Sequence, residues 1–208
     1  MTITRPEQPS SWVPSMGEVE QRRQDARRLV GSKIECVRYV DIDYRQTERP
    51  DGALGPRAIV DSDEWAEPTW LYSSCHSLDY GVELELSTTD SVSVTWQPPG
   101  LHEGLVLHRG AIGTVLRPDA NVAVWDVSTR PEWAEVLTEA ITGVDLHYKA
   151  WGPTVDDGFW YSRITLSMGV TPIDFILGEG RPDTDEVARS ADNVAVLFPG
   201  QPLPEWEP

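Results

Sequence analysis

One stretch, YGVELELSTTDSVSVTW (residues 80–96), constrains the fold of this chain more than any other. Val82, Leu84 and Leu86 alternate with Glu83, Glu85 and Ser87. After Thr88-Thr89-Asp90, the residues Val92, Val94 and Trp96 alternate with Ser91, Ser93 and Thr95. Successive side chains on a strand point to opposite faces, so apolar residues on one parity describe an antiparallel hairpin with one buried and one wetted face. Such a face needs a second layer to cover it.

Period-two segments recur elsewhere. Residues 33–44 read as a long strand whose apolar parity switches near Val37, which predicts a bulge or burial of both faces. Shorter strands are expected at 57–60, 69–72, 104–108 and 122–126, then at 144–151, 159–168, 172–177 and 194–198. Pro98-Pro99-Gly100 breaks the chain between two of them. Two segments depart from this period. Ser15-Met16-Gly17-Glu18 is a capping box opening an N-terminal helix, with Val19, Ala26, Leu29 and Val30 as its apolar positions and Gly31 as its stop. Its arginines Arg22, Arg23, Arg27 and Arg28 read by default as a solvated helix face; acids on a neighbouring sheet would be their answer rather than a basic patch. A central helix is expected over 131–141, capped by Ser128 or Thr129, with Pro131 in its first turn and Gly143 beyond its end.

The fold class is therefore α+β: strand-rich, mainly antiparallel, with an N-terminal and a central helix. Residues 1–14 read as a flexible arm, 15–198 as one compact domain and 199–208 as an extended tail. VRYVDIDYRQTERPDG and VDLHYKAWGPTVDDG resemble each other, and a hairpin follows each. A duplicated β-meander with halves 33–127 and 144–198 is one reading. The other is that antiparallel meanders look alike whatever their ancestry.

Composition bounds the function. The chain carries 34 acids and 17 bases, a net charge of −17. Residues 1–32 hold five bases and four acids, leaving a charge of −18 to residues 33–208. A field this negative repels nucleic acid and anionic lipid, so neither direct nucleic-acid binding nor membrane contact is expected; it serves solubility alone or draws a basic protein partner. The first residues show no apolar run or cleavage pattern, and no window has the apolar length of a membrane helix. With only Cys36 and Cys75, expected as free thiols with Cys36 in the core, this points to the cytoplasm. The nine tryptophans are expected mainly as packing units.

No familiar catalytic pattern is present. His76, His102, His108 and His147 show no HxH or HExxH spacing, and no CxxC occurs, so no metal centre is expected. There is no nucleophile elbow, and neither Gly-rich phosphate loop occurs, so no cofactor is expected. Paired acids such as Asp41/Asp43, Asp61/Asp63/Glu64, Asp156/Asp157 and Asp183/Asp185/Glu186 leave open a hydrolase using two carboxylates in a pocket. A structural subunit of a complex would instead show a large apolar patch.

GVELELSTTDSVSVTWQPPGLHEGLVL, the strand after Gly31 and the late DNVAVLF strand together resemble uncharacterised bacterial proteins found near toxin genes. The resemblance covers residues 31–198 in outline and has no diagnostic motif. It implies a cytoplasmic immunity-type protein that occludes a toxin. The long loop 45–67 and the residues just after it supply the candidate contact surface: Asp61, Asp63, Glu64 and Glu67, with Trp65 or Trp70 as an exposed anchor.

Overall fold

The computed structural model describes residues 11–45, 55–88, 90–96, 104–114, 116–117 and 119–207. Residues 1–10 of the expected arm, most of the loop before residue 55 and the Pro98-Pro99-Gly100 break lie outside them. Helix α1 (Met16–Arg27) starts where its capping chemistry puts it: the Ser15 hydroxyl accepts the Glu18 amide at 3.3 Å. Val19, Ala26 and Leu29 are buried, while Val30 points to solvent. The arginines do not answer acids on the sheet. Arg27 pairs with Glu20 and Arg28 with Asp25 on the helix itself, and Arg23 lies over the Tyr148 ring. Pairs within a helix need no second element to be in register, so Arg27 and Arg28 are answered locally.

Eleven strands among the described residues build two sheets. The first contains β1 (Ile34–Ile42), β2 (Arg57–Ala58), β4 (Gly81–Leu86), β5 (Ser91–Trp96), β6 (Leu105–Arg109) and β7 (Val122–Asp126). Their order is β2-β7-β1-β4-β5-β6. The second runs β3-β11-β10-β9-β8, from β3 (His76–Leu78), β8 (Ile141–Ala150), β9 (Phe159–Met168), β10 (Thr171–Gly180) and β11 (Val187–Leu197). All pairings are antiparallel except β2 with β7. The fold is thus α+β and strand-rich, with mostly antiparallel sheets and an N-terminal helix.

The hairpin at 80–96 forms in the register its alternation demands, with Val82 opposite Val94 and Leu84 opposite Val92. Their faces join one apolar core with Ile164, Leu166, Phe175, Val194 and Val196 of the second sheet. The two sheets therefore pack face to face. Each contains a four-stranded meander, β1-β4-β5-β6 in one and β8-β9-β10-β11 in the other. The short strand β3 breaks the correspondence between sheet and half, because it belongs to the first half of the chain and to the second sheet.

Four local expectations change. The register of β1 slips between Ile34 and Cys36, which turns Ile34, Val37 and Tyr39 inward and leaves Cys36 half-exposed beside Ser128 rather than in the core. The central helix is a single turn, α3 (Pro131–Ala134), because Ile141 is already extended: its amide donates to Ser32 at 2.9 Å and its carbonyl accepts from Gly31 at 2.8 Å. The expected strand at 69–72 is a turn whose backbone meets β3 at a bridge from Leu71 to His76, with the Trp70 ring against that of His76. Residues 11–14 are not a free arm. Val13 exchanges backbone hydrogen bonds with Phe159 at 2.7 and 2.8 Å, and the Trp12 indole donates to the Asp157 carbonyl while packing on Gly158. Gly158 has φ 84° and its missing Cβ would meet that indole at 2.5 Å, so both its conformation and its lack of a side chain are used.

Each outer face carries a small apolar cluster under an irregular segment tied down by a glutamate. On the first sheet Val40 and Val122 lie under Ile112, whose amide donates to buried Glu83 at 2.6 Å while Arg38 pairs with the same carboxylate. On the second, Cys75, Ile176, Val187, Ala195 and Leu197 lie under Trp206. The neighbouring Glu207 is 2% exposed, paired with Lys149 at 2.8 Å and accepting the Ser162 hydroxyl at 2.6 Å. Residues 199–207 are a docked strap. Glu207→Ala should leave the partly buried Lys149 unpaired and loosen Trp206. That costs about 2 kcal/mol, and a thermal melt should fall by several degrees. Glu205→Ala, on the exposed side of the strap, should leave the melt unchanged.

Candidate functional site

Residues 62–66 form a short helix rather than a loop, α2 (Ser62–Ala66), because the Asp61 carboxylate accepts the Asp63 amide at 2.7 Å as its N-cap. This helix divides the expected surface residues. Asp61, Asp63 and Glu67 are exposed. Glu64 is turned back and paired with Arg57 at 2.7 Å. Trp65 is half-buried, edge-on to Trp70 and Trp125. Trp70 is fully buried at the sandwich centre, so it is core and not a surface anchor. Exposed apolar groups nearby are Val60, just before α2, and Ile42 and Tyr44, which line a small recess of about 40 Å³ with Glu64 and Glu67. Three solvent-facing carboxylates with Tyr44 and Val60 make an acidic, partly apolar face.

Behind that face the Asp41/Asp43 pair is spent internally. Asp43 receives Arg57 Nε at 2.8 Å and Nη2 at 3.0 Å. Asp41 accepts the Thr69 hydroxyl at 2.6 Å and the Asp79 amide at 2.8 Å. Asp79 in turn accepts from Tyr44 and Asn193, both at 2.6 Å. Burial pushes Asp41 up to about 6, although the two hydrogen bonds pull the other way.

A buried polar node joins the sheets. The Trp133 indole donates to the Tyr39 hydroxyl at 2.7 Å, and that hydroxyl lies 2.8 Å from His76 Nδ1. An indole can only donate, so the tyrosine proton is free to go to Nδ1, and neutral His76 carries its own proton on Nε2. Glu132 stands 3.9 Å from that nitrogen and pairs with Arg130 at 3.3 Å. Burial lowers His76 to about 4; Glu132 opposes this and Arg130 reinforces it. The ring is neutral at pH 7.

The outer face of the second sheet holds another polar chain. Arg163 donates to His147 Nδ1 at 3.0 Å, since guanidinium has no acceptor, so His147 donates through Nε2 to Thr165 at 2.7 Å. Thr165 passes its own proton toward Asp174. In this direction of donation His147 gives a proton to the hydroxyl rather than taking one, the reverse of what an activated nucleophile needs. Cys75 is buried and its thiol is raised to about 11, so it is protonated at neutral pH. Among the described residues no group of three His, Cys, Asp or Glu side chains is arranged to hold a metal ion.

No protein-family model, curated protein or solved structure matches this chain. The site is therefore read from its own geometry. The Tyr39–His76–Trp133 node and the Glu207 anchor were not foreseen from sequence, because each joins residues with no local pattern in common.

Asp41 and His76 drive stability in opposite directions with pH. Asp41 has its pKa raised from 3.8, so its contribution is full below about 4 and is lost as pH rises to about 6. His76 is lowered from 6.5, so its contribution is full above that value and is lost as pH falls to about 4. Asp41→Asn should remove the first term. Urea unfolding should show the variant gaining on wild type by on the order of 2–3 kcal/mol between pH 4 and 7. A pH-independent difference would contradict the assignment.

Proposed function

We propose that this chain is a cytoplasmic binding protein that neutralises a basic protein partner, in the manner of an immunity protein that occludes a toxin. The observation that carries the reading is the acidic face at α2, where Asp61, Asp63 and Glu67 face solvent beside Tyr44 and Val60. Carboxylates of this kind, on a chain of net charge −17, raise the encounter rate with a basic surface. The adjacent apolar groups supply area that can be desolvated on contact. Cys36 and Cys75 are both free, in keeping with a reducing compartment. No helix among the described residues is long and apolar enough to cross a membrane.

The reading is tested with Asp63→Lys/Glu67→Lys, a reversal of two exposed acids that leaves the Asp61 cap in place. Immobilised wild-type protein should retain a basic polypeptide from the source cell at low salt. Its association rate should fall about tenfold between low and high salt, and by a similar factor with the variant. Retention of neutral or acidic proteins only, or a rate indifferent to both salt and charge reversal, would remove the reading.

A further inference from the structure

A groove of a different kind lies away from α2. The docked strap does more than cover the second sheet: with the β10–β11 turn and the turn at 73–74 it encloses a half-open groove of about 580 Å³. Val187, Leu203 and Trp206 provide its apolar surface, and Asp185, Glu186 and Glu205 its charged surface. Trp206 is fixed by its indole donating to the Val187 carbonyl at 3.0 Å, and Gly178 beneath it has no Cβ to push it away. Ser73 donates to Asp185 at 2.6 Å, which holds that carboxylate at the lip. Residues 181–186 are all exposed, and they include Asp183, Asp185 and Glu186 against a single base, Arg181.

We propose that this groove receives an arginine side chain carried on an extended segment of the basic partner. The inference rests on the reading above and assigns a second, separate contact to the same partner. An arginine fits because its two ends differ. The aliphatic stem buries against apolar groups while the guanidinium stays at the polar rim, where it bonds carboxylates in a fixed fork. Val187, Leu203 and Trp206 suit the stem, and Asp185 and Glu186 suit the fork. The Trp206 ring already has one guanidinium near its face: that of Arg189, 6.0 Å from its centroid. A glutamate- or aspartate-bearing segment would meet like charge at the rim.

The test uses a short peptide alternating arginine with serine, with lysine and glutamate counterparts, and reads both affinity and backbone NMR shifts. The arginine peptide should move the Trp206 indole and the amides of Glu186, Val187 and Leu203, and bind more tightly than the lysine form. The glutamate form should not bind. Asp185→Lys/Glu186→Lys should weaken the arginine peptide at least about tenfold. Asp63→Lys/Glu67→Lys, which changes the charge equally, should weaken it much less. Equal weakening by both variants, shifts elsewhere, or no binding would overturn the groove. The α2 reading falls separately, on the capture experiment with Asp63→Lys/Glu67→Lys and not on this peptide.

Discussion

A buried hydrogen bond between Tyr39 and His76 ties the two layers where the edge strand β3 faces β1. Tyr39 belongs to β1 of the first sheet and His76 to β3 of the second, and both are buried. A buried polar atom left without a partner costs about 1–3 kcal/mol, so layers packed at a spacing that took the tyrosine proton away from His76 Nδ1 would be penalised. Around it stand rings from four directions: Trp70, Trp133, Phe198 and the His76 ring itself. This gives a physical account of two irregularities. β3 leaves the sheet of its own half to bring His76 opposite Tyr39. α3 is only one turn long, and that turn presents Trp133 to the same hydroxyl.

The same economy governs charge. Four deeply buried carboxylates, those of Asp41, Asp43, Glu83 and Glu207, each find a partner inside the fold. Three of them take a base with them: Arg57, Arg38 and Lys149. Each such pair is neutral, so the net charge is carried by what remains at the surface, where fewer bases are left to offset it. A protein built this way presents carboxylates outward while His76, Cys75, Asp41 and Asp43 are occupied within. The α2 face and the strap groove are two places where those outward acids stand beside apolar surface.

The legibility of the fold followed the range of the interactions that make it. The hairpin at 80–96 and the Ser15 cap are written in adjacent residues, and both form as the spacing requires. The parity switch near Val37 pointed to a bulge that the register of β1 contains, but not to its consequence, an outward Cys36. The α2 acids could be named from composition. Which of them face solvent could not, because Glu64 is turned inward by Arg57 and Trp70 is drawn into the core by aromatic contacts from distant strands. The strap was hardest to see. PLPEWE carries no period, and its anchor depends on Lys149 and Ser162, more than forty residues away.

The central claim is that the interior acids are spoken for and that the acids at α2 and the groove do the binding. Carboxyl labelling followed by mass spectrometry tests it directly, on the free protein and on the protein saturated with the arginine–serine peptide. In the free protein Asp41, Asp43, Glu83 and Glu207 should resist labelling while Asp63, Glu67, Asp185 and Glu186 react. With the peptide bound, protection should appear at Asp185 and Glu186, while Asp63 and Glu67 stay reactive. Ready labelling of the four interior acids, or protection confined to acids elsewhere such as Asp119 and Asp145, would contradict the account.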